Sequence, residues 1–257
     1  ISLIHKYLRS GVMNKGMFEA SEEGTPQGGP LSPLLSNIML NELDKELTSR
    51  GLPFVRYADD SMIFCKSKRA AKRVKESVTR FIEGKLHLKV NRDKTVVSYV
   101  QGVKYLGYSF YVMKNKCQLT VHPKAKAKMK AKLKELTSRS NGWGYAKRKQ
   151  KLEEYIKGWV GYYHLANMKR FLIEMDEWLR RRLRMCIWKS WKRVKTRVAN
   201  LVKCGIDKYQ AYMWGNSRLG YWRIAGSYIL CHAITNEKLS MAGYATLMGS
   251  YIEWHPK

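Results

Sequence analysis

Acidic residues are scarce in this 257-residue chain: 20 Asp and Glu stand against 49 Lys and Arg, a formal charge of +29. A field of that sign disfavours cationic partners and makes a polyanion the default one, because every neutralised phosphate releases condensed counterions. A basic membrane-surface protein is the rival reading. Against it, the tryptophans and tyrosines are mixed with basic residues along whole helices and do not form one amphipathic anchor. Cysteines are few, at 65, 117, 186, 204 and 231, with no C-x-x-C pair and no neighbouring His at zinc-ligand spacing. They read as reduced, mostly buried thiols, as expected of a cytoplasmic protein. No stretch approaches the ~20 apolar residues that span a bilayer, so no membrane partner is expected. A signal peptide and internal repeats are also lacking. The first residue is Ile1. An internal start within a longer protein and a processed terminus both fit that.

What is present is enough to fold, since 45% of the residues are hydrophobic. The basic excess is uneven. Residues 1–121 hold 20 Lys and Arg against 11 Asp and Glu, and residues 122–257 hold 29 against 9. The break falls near His122-Pro123, and the second segment is the expected nucleic-acid grip.

The first segment predicts α+β structure. Residues 1–10 read as the end of a helix closed by Gly11, and Glu19 to Gly29 as a Gly- and Pro-rich loop. A helix is predicted from Ser32 to Arg50, with Leu35, Ile38, Met39, Leu43 and Leu47 at helical spacing. Phe54 to Tyr57 and Met62 to Cys65 are extended runs around Ala58, Asp59, Asp60 and Ser61, which makes a β-hairpin. A helix over 68–84 follows, then strands near 86–90, 95–100 and 104–113. The second segment predicts an all-α bundle. Pro123 suits a first helical position, with Met129, Leu133 and Leu136 on one face. Leu152, Tyr155, Ile156, Trp159, Val160 and Tyr163 form a second stripe. A third helix covers about 169–194, with Leu172, Met175, Leu179, Leu183 and Ile187 inside and Arg180, Arg181, Arg182 and Arg184 beside them. Residues 200–257 read as further short helices broken by glycine.

Asp59 and Asp60 carry the chemistry. Adjacent carboxylates on a tight turn offer hard oxygen ligands to Mg²⁺, and phosphoryl transfer with two metals needs such ligands. An Asp-Asp pair alone is equally an ordinary turn-former, so the surroundings decide. Gly24-Thr25-Pro26-Gln27-Gly28-Gly29-Pro30-Leu31-Ser32-Pro33-Leu34-Leu35-Ser36-Asn37, then Tyr57-Ala58-Asp59-Asp60, then Leu88-Lys89-Val90-Asn91-Arg92-Asp93-Lys94-Thr95 and Lys104-Tyr105-Leu106-Gly107-Tyr108 follow in order. This series closely resembles the palm of group II intron reverse transcriptases over residues 1–115. The helical remainder resembles that family's thumb, the maturase-specific region.

The resemblance implies a partial right-hand polymerase palm, an antiparallel sheet with helices, over 1–121. A helical thumb or maturase region over 122–198 and a helical extension over 199–257 follow it. It implies an RNA-directed DNA polymerase that binds its intron RNA and assists splicing and retrohoming. The partners would be group II intron RNA, an RNA template with DNA primer and dNTPs, and a DNA target. Asp59 and Asp60 would hold Mg²⁺ at a two-metal site. The loop at Pro26, Gln27 and Gly28, with Tyr57 and Ala58, would pack on the templating base and the incoming nucleotide. Gln27 offers donor and acceptor groups, and the glycines let backbone come close. Tyr57 is equally a strand tyrosine of the core, and the loop equally a rigid lead into a helix.

Lys94 corresponds to a lysine that invites a general-acid role near the leaving pyrophosphate, and a solvated surface lysine fits as well. Tyr105, Leu106 and Gly107 would steady the primer, or simply pack as strand. Trp143, Tyr145, Lys147, Arg148 and Lys149 mix aromatics with cations as RNA contacts do. Trp159, Trp178, Trp188 and Trp191 are mostly expected in the core. Arg180, Arg181 and Arg184 are expected on phosphates, with a solvated face as the alternative.

The family's first catalytic aspartate lies upstream of the Gln-Gly loop, yet residues 1–23 contain only Glu19, Glu22 and Glu23 as acids. The third metal ligand, the fingers and the first palm motif would therefore come from an upstream segment, and these residues alone would be inactive. No Cys/His cluster suggests an attached endonuclease. A non-catalytic RNA-binding maturase and another class of bacterial reverse transcriptase are the alternatives. Metal ligands argue against the first, and the basic helices against the second.

Overall fold

The computed structural model describes residues 2–9, 11–14, 17–19 and 29–255. These form two compact units, residues 1–99 and residues 100–257. The described strands make three separate antiparallel sheets of two, two and three strands, and the protein is α+β.

In the first unit α1 (Ser2–Arg9) ends before Gly11, as the sequence predicts, and a short hairpin β1 (Val12–Asn14)–β2 (Met17–Glu19) follows that the sequence reading missed. Helix α2 (Ser32–Ser49) carries Pro33 in its first turn, where a missing N–H is harmless. Its buried stripe is Leu40, Leu43 and Leu47, whereas Ile38 and Met39 are exposed. Two positions of the predicted stripe are thus corrected: the helix needs only a narrow apolar seam, and they lie outside it. Gly51, at φ +63°, closes the helix in the left-handed conformation that a C-terminal cap uses.

The hairpin β3 (Phe54–Tyr57)–β4 (Asp60–Ile63) pairs Phe54 with Ile63, Arg56 with Ser61 and Tyr57 with Asp60. Asp60 is therefore strand, and the turn is only Ala58-Asp59. Alternation puts Phe54, Arg56 and Ile63 on one face, and Val55, Tyr57 and Asp60 on the other. Helix α3 (Lys68–Gly84), capped by the Ser67 side chain on the Ala70 N–H, adds Val78 and Phe81 to a core of Leu40, Leu43, Leu47, Phe54, Ile63 and Leu86.

The strands expected near 86–90 and 95–100 do not form among the described residues. Leu86 is buried and Leu88 packs beside it, but the N–H of Leu88 turns back to the Ile82 carbonyl and His87 takes φ +54°. Without a ladder partner, Leu86 and Leu88 fold back onto the core beside α3.

The second unit opens with a 3₁₀ turn, Val100–Gly102, and the sheet β5 (Lys104–Tyr105)–β6 (Tyr108–Met113)–β7 (Lys116–Val121). The single strand expected over 104–113 is split at Leu106 and Gly107, whose φ values are +49° and +81°. Its partner β7 went unpredicted. Helices α4 (Pro123–Leu136), α5 (Tyr145–Tyr163) and α6 (Lys169–Ser190) come next, with His122 capping the Lys124 N–H of α4. The stripes Met129–Leu133–Leu136, Leu152–Ile156–Val160 and Leu172–Leu179–Leu183 meet in one core. The remaining helices are α7 (Val194–Lys203), α8 (Lys208–Gly215), α9 (Tyr221–Ile224), α10 (Tyr228–Ala233), α11 (Asn236–Met241) and α12 (Leu247–Glu253). They add Leu201, Ile224, Leu230 and Leu247 to the same core. Helix α6 stops at Ser190, four residues before the expected end. No helix among the described residues is long and apolar enough to cross a membrane.

The five cysteines are free, and only Cys186 is buried, which corrects the expectation of mostly buried thiols. Burial raises the Cys186 thiol pKa. Trp188 is core, and Trp159, Trp178 and Trp191 pack partly buried against it.

Candidate active site and RNA-binding surface

A two-residue turn forces Asp59 and Asp60 to the tip of the β3–β4 hairpin, where both are exposed with Tyr57 and Ala58. Tyr57, at 65% exposure, shares the outward face with Asp60 and is not core. Ala58 sits at φ +54°, a left-handed conformation that costs an L residue about 1–2 kcal/mol. Such a residue persists only where its surroundings over-determine it.

Those surroundings are visible. The Arg56 guanidinium donates to the Ala58 carbonyl at 2.9 Å, to Asn37 Oδ1 at 2.8 Å and to both Asp44 oxygens, from Nε at 2.8 and 3.1 Å. Asn37 and Asp44 are seven residues apart on α2, two turns along one face. Neither Arg56 nor Asp44 stood out in the sequence. An arginine two residues before the turn, with an acid on the preceding helix, was the available signal.

Whether these residues suit a divalent metal is a question of donors. Asp59 and Asp60 offer two adjacent carboxylates on an exposed tip, and among the described residues neither is taken up by an ion pair. The donor type fits a hard cation. No group of three His, Cys, Asp or Glu able to hold a metal occurs among the described residues. Such a pair could supply part of a coordination shell.

Pro26, Gln27 and Gly28 lie outside the described residues. Lys94 is exposed on a separate turn, where its N–H is held by Asn91 Oδ1 at 3.1 Å. Tyr105 ends β5, and Leu106 and Gly107 form the β5–β6 turn, which is gripped from α5. Tyr162 donates its hydroxyl to the Leu106 carbonyl at 3.1 Å, and Tyr108 donates to the Tyr162 carbonyl at 2.5 Å. The Tyr163 hydroxyl would lie 2.3 Å from a Cβ at Gly107. At position 107 only glycine fits without a shift of Tyr163.

The expected phosphate-binding residues divide. Arg148 is 6% exposed and bonds Asn141, and Arg184 is 8% exposed and donates to the Ile234 carbonyl and Asn236 Oδ1. Burial corrects both assignments, since a guanidinium spent on internal carbonyls ties loops together and does not meet solvent. Arg182 does the same with Thr137 and the Lys134 carbonyl. Arg181 is half-buried, stacked over Trp222 and bonded to its carbonyl. Arg180 is half-buried too. Lys147 is exposed, 5.5 Å above the Trp143 ring, and Lys149 reaches the Ala242 carbonyl at 3.2 Å.

Sequence reasoning missed the exposed cations Lys192, Arg193 and Lys195: it ran α6 through the first two and stopped just short of the third. Lys124, Lys128 and Lys132 of α4 were missed as well. They are exposed at successive i, i+4 positions, whereas Lys126 and Lys130 turn toward the Phe171 and Trp178 rings.

Residues 1–110 match the family Reverse transcriptase (RNA-dependent DNA polymerase), and residues 126–205 match Group II intron, maturase-specific domain. Protein YkfC of Escherichia coli (strain K12) is 33% identical, over 42% of this chain and 38% of that protein. Group II intron-encoded protein LtrA of Lactococcus lactis subsp. cremoris is 28% identical, over 44% of this chain and 30% of that protein. The Putative COX1/OXI3 intron 2 protein of Saccharomyces cerevisiae (strain ATCC 204508 / S288c) is 26% identical, over 44% and 20%. The chain spans well under half the length of these curated relatives. With both domain families matched in chain order and an intron-encoded protein among its relatives, the chain belongs to the reverse transcriptase and maturase proteins of group II introns.

Proposed function

We propose that the chain is the distal palm and the thumb of an RNA-directed DNA polymerase that also holds its own intron RNA for splicing. The single observation that carries this reading is the Tyr57-Ala58-Asp59-Asp60 tip. It exposes two adjacent carboxylates, one in a two-residue turn and one on the strand leaving it, in a chain of this family. Asp59 and Asp60 would hold Mg²⁺, with the remaining ligand supplied from an upstream segment of the full-length protein. The bound metal would lower the pKa of the attacking 3′ hydroxyl and neutralise the leaving pyrophosphate. Tyr57, outward beside Asp60, offers a ring face for the primer end. Lys94 supplies a cation for the pyrophosphate side. Pro26, Gln27 and Gly28 pack against template base and nucleotide, and the turn at Tyr105, Leu106 and Gly107 steadies the primer.

RNA is held by cations of the second unit that reach solvent. Exposed Lys147 and half-buried Arg180 and Arg181 remain from the predicted set, joined by exposed Lys124, Lys128, Lys192, Arg193 and Lys195. Their positive field serves both template duplex and intron RNA, and its strength falls with salt.

The test is extension of a DNA primer on an RNA template by the full-length protein and its Asp59→Asn variant. Loss of cDNA synthesis in a folded, RNA-bound variant is the expected result. Undiminished synthesis would remove the metal role from Asp59. A wild-type protein that binds RNA and never extends a primer would make it a non-catalytic maturase.

A further inference from the structure

Polymerisation at this hairpin requires that two carboxylates keep one orientation, yet the tip is exposed and its first residue occupies an unfavourable conformation. Nothing in a two-residue Ala-Asp turn makes it rigid, since neither residue is glycine or proline. The stiffness has to come from outside the turn.

We propose that Arg56 is the positioning residue of the candidate metal site, an arginine strut that transmits the rigidity of α2 to the Asp59–Asp60 turn. The proposal rests on the reading of that turn as the metal-holding one. Arg56 lies on the face of β3 opposite Tyr57, so its side chain passes under the hairpin and not into the space before the carboxylates. Its fork is divided. Nε and Nη2 are fixed on Asp44, and Nη1 donates both to Asn37 and to the Ala58 carbonyl. The guanidinium plane is thereby anchored at two points of one helix before it reaches the turn.

Held there, the Ala58 carbonyl fixes the peptide that leads into Asp59. Asp44 also compensates the arginine charge, so the strut need not draw the turn's own carboxylates to itself. A lysine has the charge but not the planar fork, and one ammonium cannot span a carboxylate, an amide and a carbonyl in this geometry.

The test uses the full-length protein, with Mn²⁺ alone titrated by electron paramagnetic resonance and cDNA synthesis measured over a range of Mg²⁺. Arg56→Lys is expected to weaken Mn²⁺ binding about tenfold, the loss of roughly one charge-assisted hydrogen bond. It should lower kcat while leaving the KM for nucleotide in place, and raised Mg²⁺ should restore most of the rate. Arg50→Lys, in the Arg50–Glu46 ion pair of the same helix, serves as the control and should leave Mn²⁺ binding and its Mg²⁺ requirement as they are. If Arg56→Lys lowers only the thermal midpoint and Mn²⁺ binds as before, the strut is merely structural and the proposal is wrong. Should Arg56→Lys fail to fold, Asn37→Ala decides. It removes one anchor and spares the ion pair, so a smaller loss of Mn²⁺ affinity supports the strut and an unchanged one overturns it. Asp59→Asn separates the two levels: if it binds Mn²⁺ like wild type, the turn holds no metal, and the reading beneath the proposal falls with it.

Discussion

Replacing Gly107 by alanine puts the β5–β6 turn to a quantitative test. At φ +81° an alanine pays about 1–2 kcal/mol that glycine does not. The added methyl also meets the Tyr163 hydroxyl at 2.3 Å and ring carbons at 3.1 and 3.2 Å. That ring is not free to swing away. Its centroid lies 4.7 Å from those of Trp159 and Tyr162 and 5.2 Å from that of Tyr108. Overpacking of this kind costs about 1–3 kcal/mol. The total of about 2–5 kcal/mol corresponds to a fall in Tm of roughly 5–15 °C for a unit of this size. Thermal unfolding followed by circular dichroism reads it directly. Adding Tyr163→Phe removes the nearest atom, so the double variant should recover part of the loss but not the backbone cost. A Gly107→Ala variant within about 2 °C of wild type, a shift worth under 1 kcal/mol, would refute both the turn geometry and the packing.

Arg184→Ala should lower Tm with little change in RNA affinity, because its guanidinium serves Ile234 and Asn236. Lys192→Glu with Arg193→Glu should do the reverse, reducing the slope of log K against log salt by roughly 1.4 on single strands; filter binding with parallel melting curves separates the two. Cys117 is exposed and should label rapidly with a maleimide, whereas Cys186, buried with its thiol donating to the Thr137 carbonyl, should label only on unfolding. Asp176 accepts from the N–H groups of Leu247 and Met248 at the start of α12, so Asp176→Ala should cost about 2–4 kcal/mol in denaturant titrations. Burial raises the Asp176 pKa above its ordinary 3.8 despite those bonds. The folded state then holds the proton more tightly than the unfolded one, so this carboxyl's contribution is full below 3.8 and declines as pH rises through the folded value. The stability gap between wild type and Asp176→Asn should therefore narrow from acid toward neutral pH.

Much of this was legible in the sequence where one period or one cap dominates. Pro123 announced α4, and the stripes of α4, α5 and α6 were readable because a three-helix core buries one face of each. The hairpin was readable from two apolar runs around Asp59 and Asp60. Its register was not, since moving Asp60 from turn to strand depends on the Tyr57–Asp60 pairing. The segment 86–99 misled because alternation records a buried edge and not a ladder partner. Arginines misled for a related reason. Composition counts Arg148, Arg182 and Arg184 as available charge, whereas each reaches carbonyl or amide groups 7 to 52 positions away in the chain. The contacts of Arg56 went unread for the same cause: its partners sit 12 and 19 residues upstream, on another element.

The proposed metal-dependent synthesis at Asp59 and metal-independent holding of RNA by the basic helices come apart when two activities are assayed on one variant. Full-length protein carrying Asp59→Ala would be compared with wild type for cDNA synthesis and for protein-assisted splicing of its intron RNA, at one stated salt concentration. Splicing assistance depends on preferential binding of the active RNA shape, which the variant leaves untouched. The expected result is that cDNA synthesis is abolished and splicing assistance is retained. Loss of splicing by a variant that still folds and binds the RNA with wild-type affinity would contradict it.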